Sequence, residues 1–386
     1  MIQIYPDKIR VIELTPKEQK TILKHCHSID RDMYNRIRNA RNGVLHLLEQ
    51  ECHYIRECIY AEVNRATKPK VKNILGNLHN RLSLNPVARV FAEEFSGYNF
   101  ESIEDVNEKL QEVTNARNAT PYPEMGRLSP NQVTALVYFS WDDSRFPLRF
   151  NKELKLSELK DSVFFTNAAI FLKTLVEQSN ENTVTARGNL NRKFVKLIFD
   201  KLIIPEDHKK FVLKYNKVIN ETDVSALHTA RVVCQSAGLI HKRKNKFLVP
   251  RKYHSLLSDE KAGELYALLF NSYFTKFNIG YVDRLPELKG VQHTIAYSIY
   301  RLGEIADRYR SAEGLAEEIL LPAVLKEVRE GISKYVRVEW ILRSRVLEPL
   351  KNFGLVECKY KHFKGYSEID AVRKTGLFDR FVGCEW

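Results

Sequence analysis

Histidine and cysteine side chains are concentrated at two places near the N-terminus, where they could bind a metal ion. The first is the His-Cys-His run from His25 to His27, and the second combines Cys52, His53 and Cys58. Structural zinc sites use paired spacings such as C-x2-C or H-x3-H, and neither cluster has one. A helix would also place Cys52 and Cys58 on different faces. We therefore predict free cysteines and no metal site.

Paired carboxylates that could serve acid–base or metal-assisted catalysis occur at Glu93-Glu94 and Asp142-Asp143. Neighbouring residues point apart on a helix, so such pairs are more typical of a solvated surface. The chain has no G-x-S-x-G, no G-x4-G-K-[ST] and no G-x-G-x-x-G after a strand. The residues favour a protein without catalytic residues or a cofactor. A nuclease with dispersed Asp, Glu and Lys residues stays an alternative.

Positive charge is concentrated in one segment of the chain. The protein has 61 Lys and Arg against 48 Asp and Glu, which gives a formal net charge of +13. Residues 183–256, called the basic segment here, hold 16 Lys and Arg against 5 Asp and Glu. A concentrated basic field attracts polyanions, of which nucleic acid is the usual partner. A solvated charged face and a contact for an acidic protein are the alternatives.

The elements around the basic segment follow the order of a winged helix-turn-helix. Helical patterns cover residues 164–177, 190–202 and 223–237, and we expect Asp223 to cap the last helix and Gly238 to end it. Residues 239–249 then predict a strand, a tight basic turn and a second strand. In a winged helix the later helix enters the major groove, and we expect the hairpin tip to reach the DNA backbone.

This interpretation gives roles to ten side chains. One group lies around the start of the middle helix and is expected to hold the DNA backbone: Arg187, Arg192, Lys193 and Lys196. His228 and Arg231 lie one turn apart on the later helix and are expected to read base edges. The last group surrounds the hairpin turn and is expected to bind phosphates: Lys242, Arg243, Lys244 and Lys246.

We predict a mainly α, multi-domain protein with local α+β character. Its expected regions are an N-terminal strand (residues 2–12) with a helical hairpin (1–84), a small helical and irregular segment (85–162), the winged-helix-like domain (163–257), a helical connector (258–331) and a C-terminal region (332–386). The last region repeats the pattern of a helix ending at a glycine, here Gly354, followed by Leu and a β-branched residue. A second winged-helix-like module and an unrelated fold are both open there.

The sequence predicts some helices in more detail. Thr15-Pro16-Lys17-Glu18 and Leu128–Gln132 are typical of helix starts. A long helical pattern from Gly43 to Leu84 is in two pieces with Lys68-Pro69 between them, and two short helices are expected between residues 91 and 113.

An aromatic run recurs at helical spacing within the predicted connector: Tyr266, Phe270, Tyr273, Phe274 and Phe277. Exposed rings at this spacing could stack on unpaired bases. Leucines interleave the run, however, and a helix with apolar residues on most faces is typically buried. We therefore predict that these rings belong to the core.

Composition excludes some classes of protein. The sequence has no run of about eighteen apolar residues, so no membrane span is predicted. Its first residues do not have the pattern of a signal peptide. The 6 cysteines are scattered, which is typical of a reducing compartment rather than of a disulfide framework. We expect a cytoplasmic protein without a membrane partner.

Four strings together resemble a known group of proteins: Leu128–Gln132 (L-S-P-N-Q), Phe150-Asn151 before an acidic and apolar stretch, Thr185–Val195 (T-A-R-G-N-L-N-R-K-F-V) and Ala237–Lys242 (A-G-L-I-H-K). The chain resembles, over residues 40–330, a widespread group of uncharacterised bacterial proteins, some of them encoded on plasmids and mobile elements. They share a T-A-x-G-N-L segment followed by a winged-helix-like stretch. The resemblance implies a bacterial or phage-like cytoplasmic origin, and it carries no activity.

Non-catalytic binding of nucleic acid, with DNA favoured, is the function that the sequence predicts. The context would be regulation, replication or defence of a mobile element. The alternative from another class is a scaffold or adaptor in a multi-protein complex, because winged helices and helical flanks also offer surfaces for a protein partner.

Overall fold

The computed structural model describes residues 9–83, 102–333, 336–363 and 366–386. It divides the chain into two compact units, Met1–Asn107 and Glu108–Trp386. The described residues are mainly helical, with a few short antiparallel strands, which confirms the predicted mainly α fold class. None of the helices within the described ranges is both long enough and apolar enough to span a bilayer.

The first unit packs helices against a two-stranded sheet. Strand β1 (Ile9–Glu13) pairs antiparallel with β2 (Val44–Leu48). The helices are α1 (Pro16–His25), α2 (Arg31–Asn39), α3 (Glu49–Arg65) and α4 (Pro69–Ser83). Thr15 caps α1 in a capping box with Glu18, as the sequence indicated. Helices α3 and α4 pack together, which confirms the predicted hairpin and its break before Pro69.

The segment Val44–Leu48 was predicted to begin the long helix, and that prediction is wrong. Leu45 and Leu47 are buried while His46 is exposed, so apolar and polar positions alternate with a period of two. Such alternation is typical of a strand with one face on the core. Leu47 and Leu48 also fit a helical period with later residues, and five residues are too few to separate the two patterns.

Gly43 is required at the turn that leads into β2. Its φ is +74°, and a Cβ placed there would lie 1.9 Å from the carbonyl oxygen of Leu14. We expect Gly43→Ala to lower the free energy of unfolding by about 2 kcal/mol or more, since it adds a backbone clash to a left-handed conformation. In α4, Gly76 has nothing within 4 Å of such a Cβ. Gly76→Ala should therefore stabilise the helix by about 0.5–1 kcal/mol. Urea unfolding should show a lower free energy of unfolding for Gly43→Ala and a higher one for Gly76→Ala. A Gly43→Ala variant as stable as the wild type would contradict the role of the turn.

Helix α5 (Ile103–Ala119) contains the boundary residue Asn107. It accounts for one of the two short helices predicted between residues 91 and 113, and the other lies outside the described residues. Helix α6 (Pro130–Tyr138) begins at Ser129, whose hydroxyl forms a capping box with Gln132, as predicted. Strand β3 (Leu148–Phe150) pairs antiparallel with β9 (Val382–Cys384) at the far end of the chain.

The basic segment folds into helices and one hairpin, preceded by α7 (Val163–Glu177). In chain order these elements are α8 (Arg192–Phe199), α9 (Glu206–Tyr215), α10 (Ser225–Ser236), β4 (His241–Arg243) and β5 (Lys246–Leu248). Helix α9 was not predicted. Asp223 does not cap α10 as expected: it ends a short 3-10 turn that begins at Glu221, and its carboxylate accepts the Asn220 N–H at 2.8 Å.

The rest of the second unit is helical, apart from two strand pairings. Its helices are α11 (Ala262–Thr275), α12 (Gly280–Asp283), α13 (Gly290–His293), α14 (Ile295–Ile305), α15 (Leu315–Ile319), α16 (Pro322–Gly331), α17 (Val338–Leu342), α18 (Glu348–Asn352) and α19 (Gly376–Phe381). A π-helical turn, Arg343–Leu347, joins α17 to α18. Strand β8 (Tyr366–Lys374) pairs with β7 (Val356–Phe363) and β6 (Arg310–Ser311).

One hydrophobic core runs through the second unit, from Leu128 to Phe381. The predicted boundaries at residues 163, 258 and 332 all lie within this unit. The aromatic run of α11 is buried in the core, which confirms the prediction for those rings. Gly354 ends α18 with a φ of +78°, and the β7–β8 hairpin follows, so the helix–hairpin order recurs. A second winged-helix-like module stays a prediction.

Candidate functional site

The β4–β5 hairpin presents cations on an anchored turn. Its register pairs Lys242 with Phe247 and Arg243 with Lys246, and Lys244 adopts a left-handed φ of 53° at the turn. Phe247 is buried and fixes the hairpin to the core. The side chains of Lys242, Arg243 and Lys244 are exposed. None of the three forms an ion pair with a described residue, so their charges are available to an anionic partner.

Lys246 has a different environment from the other hairpin cations. It is half-buried, and its Nζ donates to the carbonyl oxygens of Ser179 at 3.4 Å and Asn180 at 2.5 Å. The ammonium therefore ties the turn end of the hairpin to the residues that follow α7. This contact makes Lys246 a support for the hairpin, and the structure leaves less of its charge free than the sequence prediction assumed.

Arg187 lies on a tight turn beside the hairpin. The turn is closed by the Thr185 N–H, which donates to the Asn189 carbonyl at 2.8 Å, and Gly188 provides the required φ of +87°. A Cβ at Gly188 would lie 3.8 Å from Lys242 Nζ. Arg187 is exposed and has no ion-pair partner among the described residues. The structure thus brings the Arg187 turn next to a cation of the hairpin.

The hairpin and the Arg187 turn are also joined through the backbone. The N–H groups of Thr183 and Val184 both donate to the carbonyl of Asn245 at the hairpin turn, each at 3.0 Å. The Phe247 N–H donates to the Thr183 hydroxyl at 2.9 Å. These bonds hold the two turns in one arrangement, so their cations form a preorganised surface.

Helix α8 buries one face and exposes three of the predicted cations on the other. Asn191 caps it by accepting the Phe194 N–H at 2.9 Å. Arg192 donates to Asn220 at 3.1 Å, and Lys193 forms an exposed ion pair with Glu181 at 3.1 Å. Lys196 is exposed and makes no ion pair within the described part of the chain. An exposed pair such as Lys193–Glu181 is weak and is broken readily by a competing anion.

Glu221 is a buried carboxylate at which the two predicted base-reading residues meet. It accepts hydrogen bonds from His228 Nδ1 at 2.7 Å, from Arg231 Nε at 2.9 Å and from the Leu190 N–H at 2.5 Å. Burial raises the pKa of Glu221, but these hydrogen bonds and the Arg231 charge outweigh it, so its pKa is lowered. The carboxylate fastens α10 to the backbone next to the Arg187 turn.

His228 and Arg231 lie on α10 as predicted, but they have partners within the protein that the sequence prediction did not include. The Arg231 side chain is 11% exposed, and its guanidinium is held by Glu221 and by Gln235 at 2.9 Å. A guanidinium that binds a buried carboxylate has fewer donors left for a bidentate contact with a base, so base reading by Arg231 stays a prediction. Both residues therefore support the fold of the basic segment.

The cysteine and carboxylate pairs that could carry chemistry are in part buried or paired with a cation. No group of three His, Cys, Asp or Glu residues in the described ranges could hold a metal ion. Cys52 and Cys58 are buried, and burial raises the pKa of Cys26 to about 12. The Arg145 side chain binds Asp143 at 2.7 Å and lowers its pKa to about 2, while Glu93-Glu94 lies outside the described residues.

Comparison with known proteins gives one match. Residues 160–262 match the family model of the Y4jL N-terminal domain, which covers α7 through β5 and the whole basic segment. That family has no characterised activity, which agrees with the resemblance to an uncharacterised group. No curated protein and no solved structure matches the chain significantly.

Sequence reasoning missed Glu221 and assigned Lys246 to phosphate binding. A signal for Glu221 was available: it is one of only 5 acidic residues in the basic segment, and it precedes two basic side chains on the following helix. The role of Lys246 depends on carbonyl groups 66 and 67 residues earlier in the chain. No local pattern indicates such a contact.

Proposed function

We propose that residues 163–257 form a winged-helix module that binds duplex DNA without catalysis. The observation that carries the proposal is a set of five exposed cations on α8, the Arg187 turn and the hairpin, none of which has an ion-pair partner among the described residues: Arg187, Lys196, Lys242, Arg243 and Lys244. Cations without an internal partner keep their charge for phosphate oxygens, which supply most of the affinity of non-specific DNA binding.

Duplex DNA is favoured over duplex RNA by the shape of the module. A winged helix places a helix in the wide major groove of B-form DNA and its hairpin on the adjacent backbone. The major groove of A-form RNA is too narrow for side chains to read. In α10, Ser225 and Gln235 are exposed, whereas Arg231 is buried. With few groups on α10 to contact base edges, we expect phosphate contacts to dominate and sequence selectivity to be low.

The test is fluorescence-polarisation binding to a random duplex at several salt concentrations. The wild-type protein should bind with a steep negative slope of log affinity against log salt. The variant Lys242→Ala/Arg243→Ala/Lys244→Ala should bind about tenfold or more weakly, and its slope should fall by about 3, because each lost phosphate contact removes about one unit.

A charge-matched control separates position from net charge. Lys152, Lys276 and Lys289 are exposed and lie outside the basic segment. The triple variant Lys152→Ala/Lys276→Ala/Lys289→Ala removes the same charge and should keep the wild-type slope. Equal losses in both variants, or no wild-type binding at low salt, would refute the proposal. Absence of binding would favour the scaffold alternative, and duplex cleavage on adding magnesium would favour the nuclease.

A further inference from the structure

Helix α9 exposes apolar side chains that a helix of this kind normally buries. Phe211 is 58% exposed, Leu213 59% and Tyr215 63%. Val212 is the buried residue of the helix. Scattered single apolar residues on a surface are ordinary, but several together on one helix mark a binding surface. Helix α9 therefore presents a surface that the described fold does not use for its own core.

Three rings form a stripe along α9. His208, Phe211 and Tyr215 are spaced i, i+3 and i+7, which places them on one face. The His208 and Phe211 rings have centroids 6.4 Å apart and planes within 10° of each other. The Phe211 and Tyr215 centroids are 4.7 Å apart. The stripe thus offers adjacent π-faces to solvent, unlike the aromatic run of α11, which is buried.

Cations lie directly beside this aromatic stripe. Lys210 and Lys214, four residues apart, occupy the neighbouring face of α9, and both are exposed. Lys214 Nζ lies 5.2 Å from the centroid of the Tyr215 ring. Lys217 follows two residues after the helix ends and is also exposed. No ion pair connects these lysines to other described residues.

We propose that the aromatic stripe of α9 binds single-stranded DNA, with unpaired bases stacked on Phe211 and Tyr215 and phosphates near Lys210 and Lys214. Aromatic rings beside a basic groove are the usual means of binding single strands, since every base has a π-face. Charge complementarity argues for this occupant: residues 206–217 hold 4 Lys against 2 Asp and Glu, so the stripe lies in a net positive field that attracts a polyanion. The inference goes beyond the proposed function because it involves none of the hairpin cations.

The experiment replaces the rings and keeps both the apolar character and the charge. The variant Phe211→Leu/Tyr215→Leu is compared with wild type for binding to a fluorescein-labelled oligo(dT) of about 16 nucleotides. Loss of stacking should weaken oligo(dT) binding by about tenfold or more, because one ring-on-base stack contributes about 5- to 150-fold in affinity. The salt slope and the duplex affinity should stay unchanged, since no lysine is altered.

A matched control uses two exposed tyrosines elsewhere in the second unit. Tyr138 and Tyr281 are 71% and 65% exposed. The variant Tyr138→Leu/Tyr281→Leu should bind oligo(dT) like wild type. Circular dichroism of the α9 variant should match wild type, because the replaced side chains are exposed.

The outcomes separate this inference from the proposed function. Unchanged oligo(dT) affinity in the α9 variant overturns the inference and favours an acidic protein partner for this face, whatever the duplex result. No oligo(dT) binding by the wild-type protein overturns it too. Ring-dependent oligo(dT) binding without duplex binding supports the inference while the proposed function fails.

Discussion

Replacing Arg345 with Met should lower the free energy of unfolding of residues 108–386 by about 3–5 kcal/mol, the largest effect we expect from a single substitution. The substitution keeps most of the side-chain volume and removes the charge. It leaves Asp283 as a buried carboxylate without its cation, and an uncompensated buried charge is strongly destabilising.

The geometry around Arg345 explains the size of this effect. Its Nε donates to Asp283 Oδ2 at 2.5 Å and its Nη2 to Oδ1 at 2.8 Å, which makes the pair bidentate. The remaining donors bind the carbonyls of Leu285, at 2.5 Å, and Leu288. The side chains of Arg345 and Asp283 are 2% and 1% exposed. The guanidinium thus joins the π-helical turn Arg343–Leu347 to the segment around α12.

The urea midpoint of unfolding measures this prediction, and Arg329 supplies the control. Arg329 pairs with Glu317 at the surface, where both side chains are about half exposed. Arg329→Met should change stability by about 1 kcal/mol at most. The double variant Asp283→Leu/Arg345→Met should lose less than the single one, although the carbonyls of Leu285 and Leu288 stay unsatisfied. An Arg345→Met variant as stable as the Arg329→Met control would contradict a structural role for the pair.

Features that depend on a few neighbouring residues were predictable from the sequence. The caps at Thr15 and Ser129 were found because a hydroxyl, a proline and a Glu or Gln stand at fixed offsets. The hairpin at 239–249 was found for a similar reason: Gly238 ends a helix, and apolar strands flank a polar turn. The exposed cations of the candidate site were found because their charge lies close together in sequence.

Features that depend on distant parts of the chain were not predictable. Strand β3 pairs with β9, which is more than two hundred residues away, so its partner had no local signal. Helix α9 was missed because its apolar side chains face solvent, and a search for a buried helical stripe finds none. The contacts of His228 and Arg231 were not predictable because their shared partner, Glu221, lies outside their helix.

Glu221→Gln should be the second most destabilising substitution, costing about 3 kcal/mol of unfolding free energy at neutral pH. The amide keeps the size of the side chain and removes the charge that Arg231 requires. The amide replaces one carboxylate oxygen with an NH2 group, which donates and does not accept. Gln therefore cannot accept from His228, Arg231 and the Leu190 N–H together. The loss should loosen α10 from the Arg187 turn, and duplex binding should weaken in parallel with stability.

The effect should depend on pH, with a sign fixed by the lowered pKa of Glu221. The carboxylate has an ordinary pKa of 4.5, and the hydrogen bonds in the folded protein lower it. A group with a depressed folded pKa contributes stability that is complete above its unfolded value and is lost as the pH falls through the folded value. The difference in free energy of unfolding between wild type and Glu221→Gln should therefore be constant above pH 4.5 and shrink at lower pH.

Urea unfolding at a series of pH values tests both parts of this prediction. Glu177 is the matched control, because its pair with Lys201 is exposed and loose, with an N–O distance of 3.9 Å. Glu177→Gln should match the wild type in stability at every pH. If the difference in free energy of unfolding between wild type and Glu221→Gln persisted unchanged well below pH 4.5, the ionised carboxylate would not be the source of the stability. The contact of Glu221 with α10 would then depend on its shape and hydrogen bonds and not on its charge.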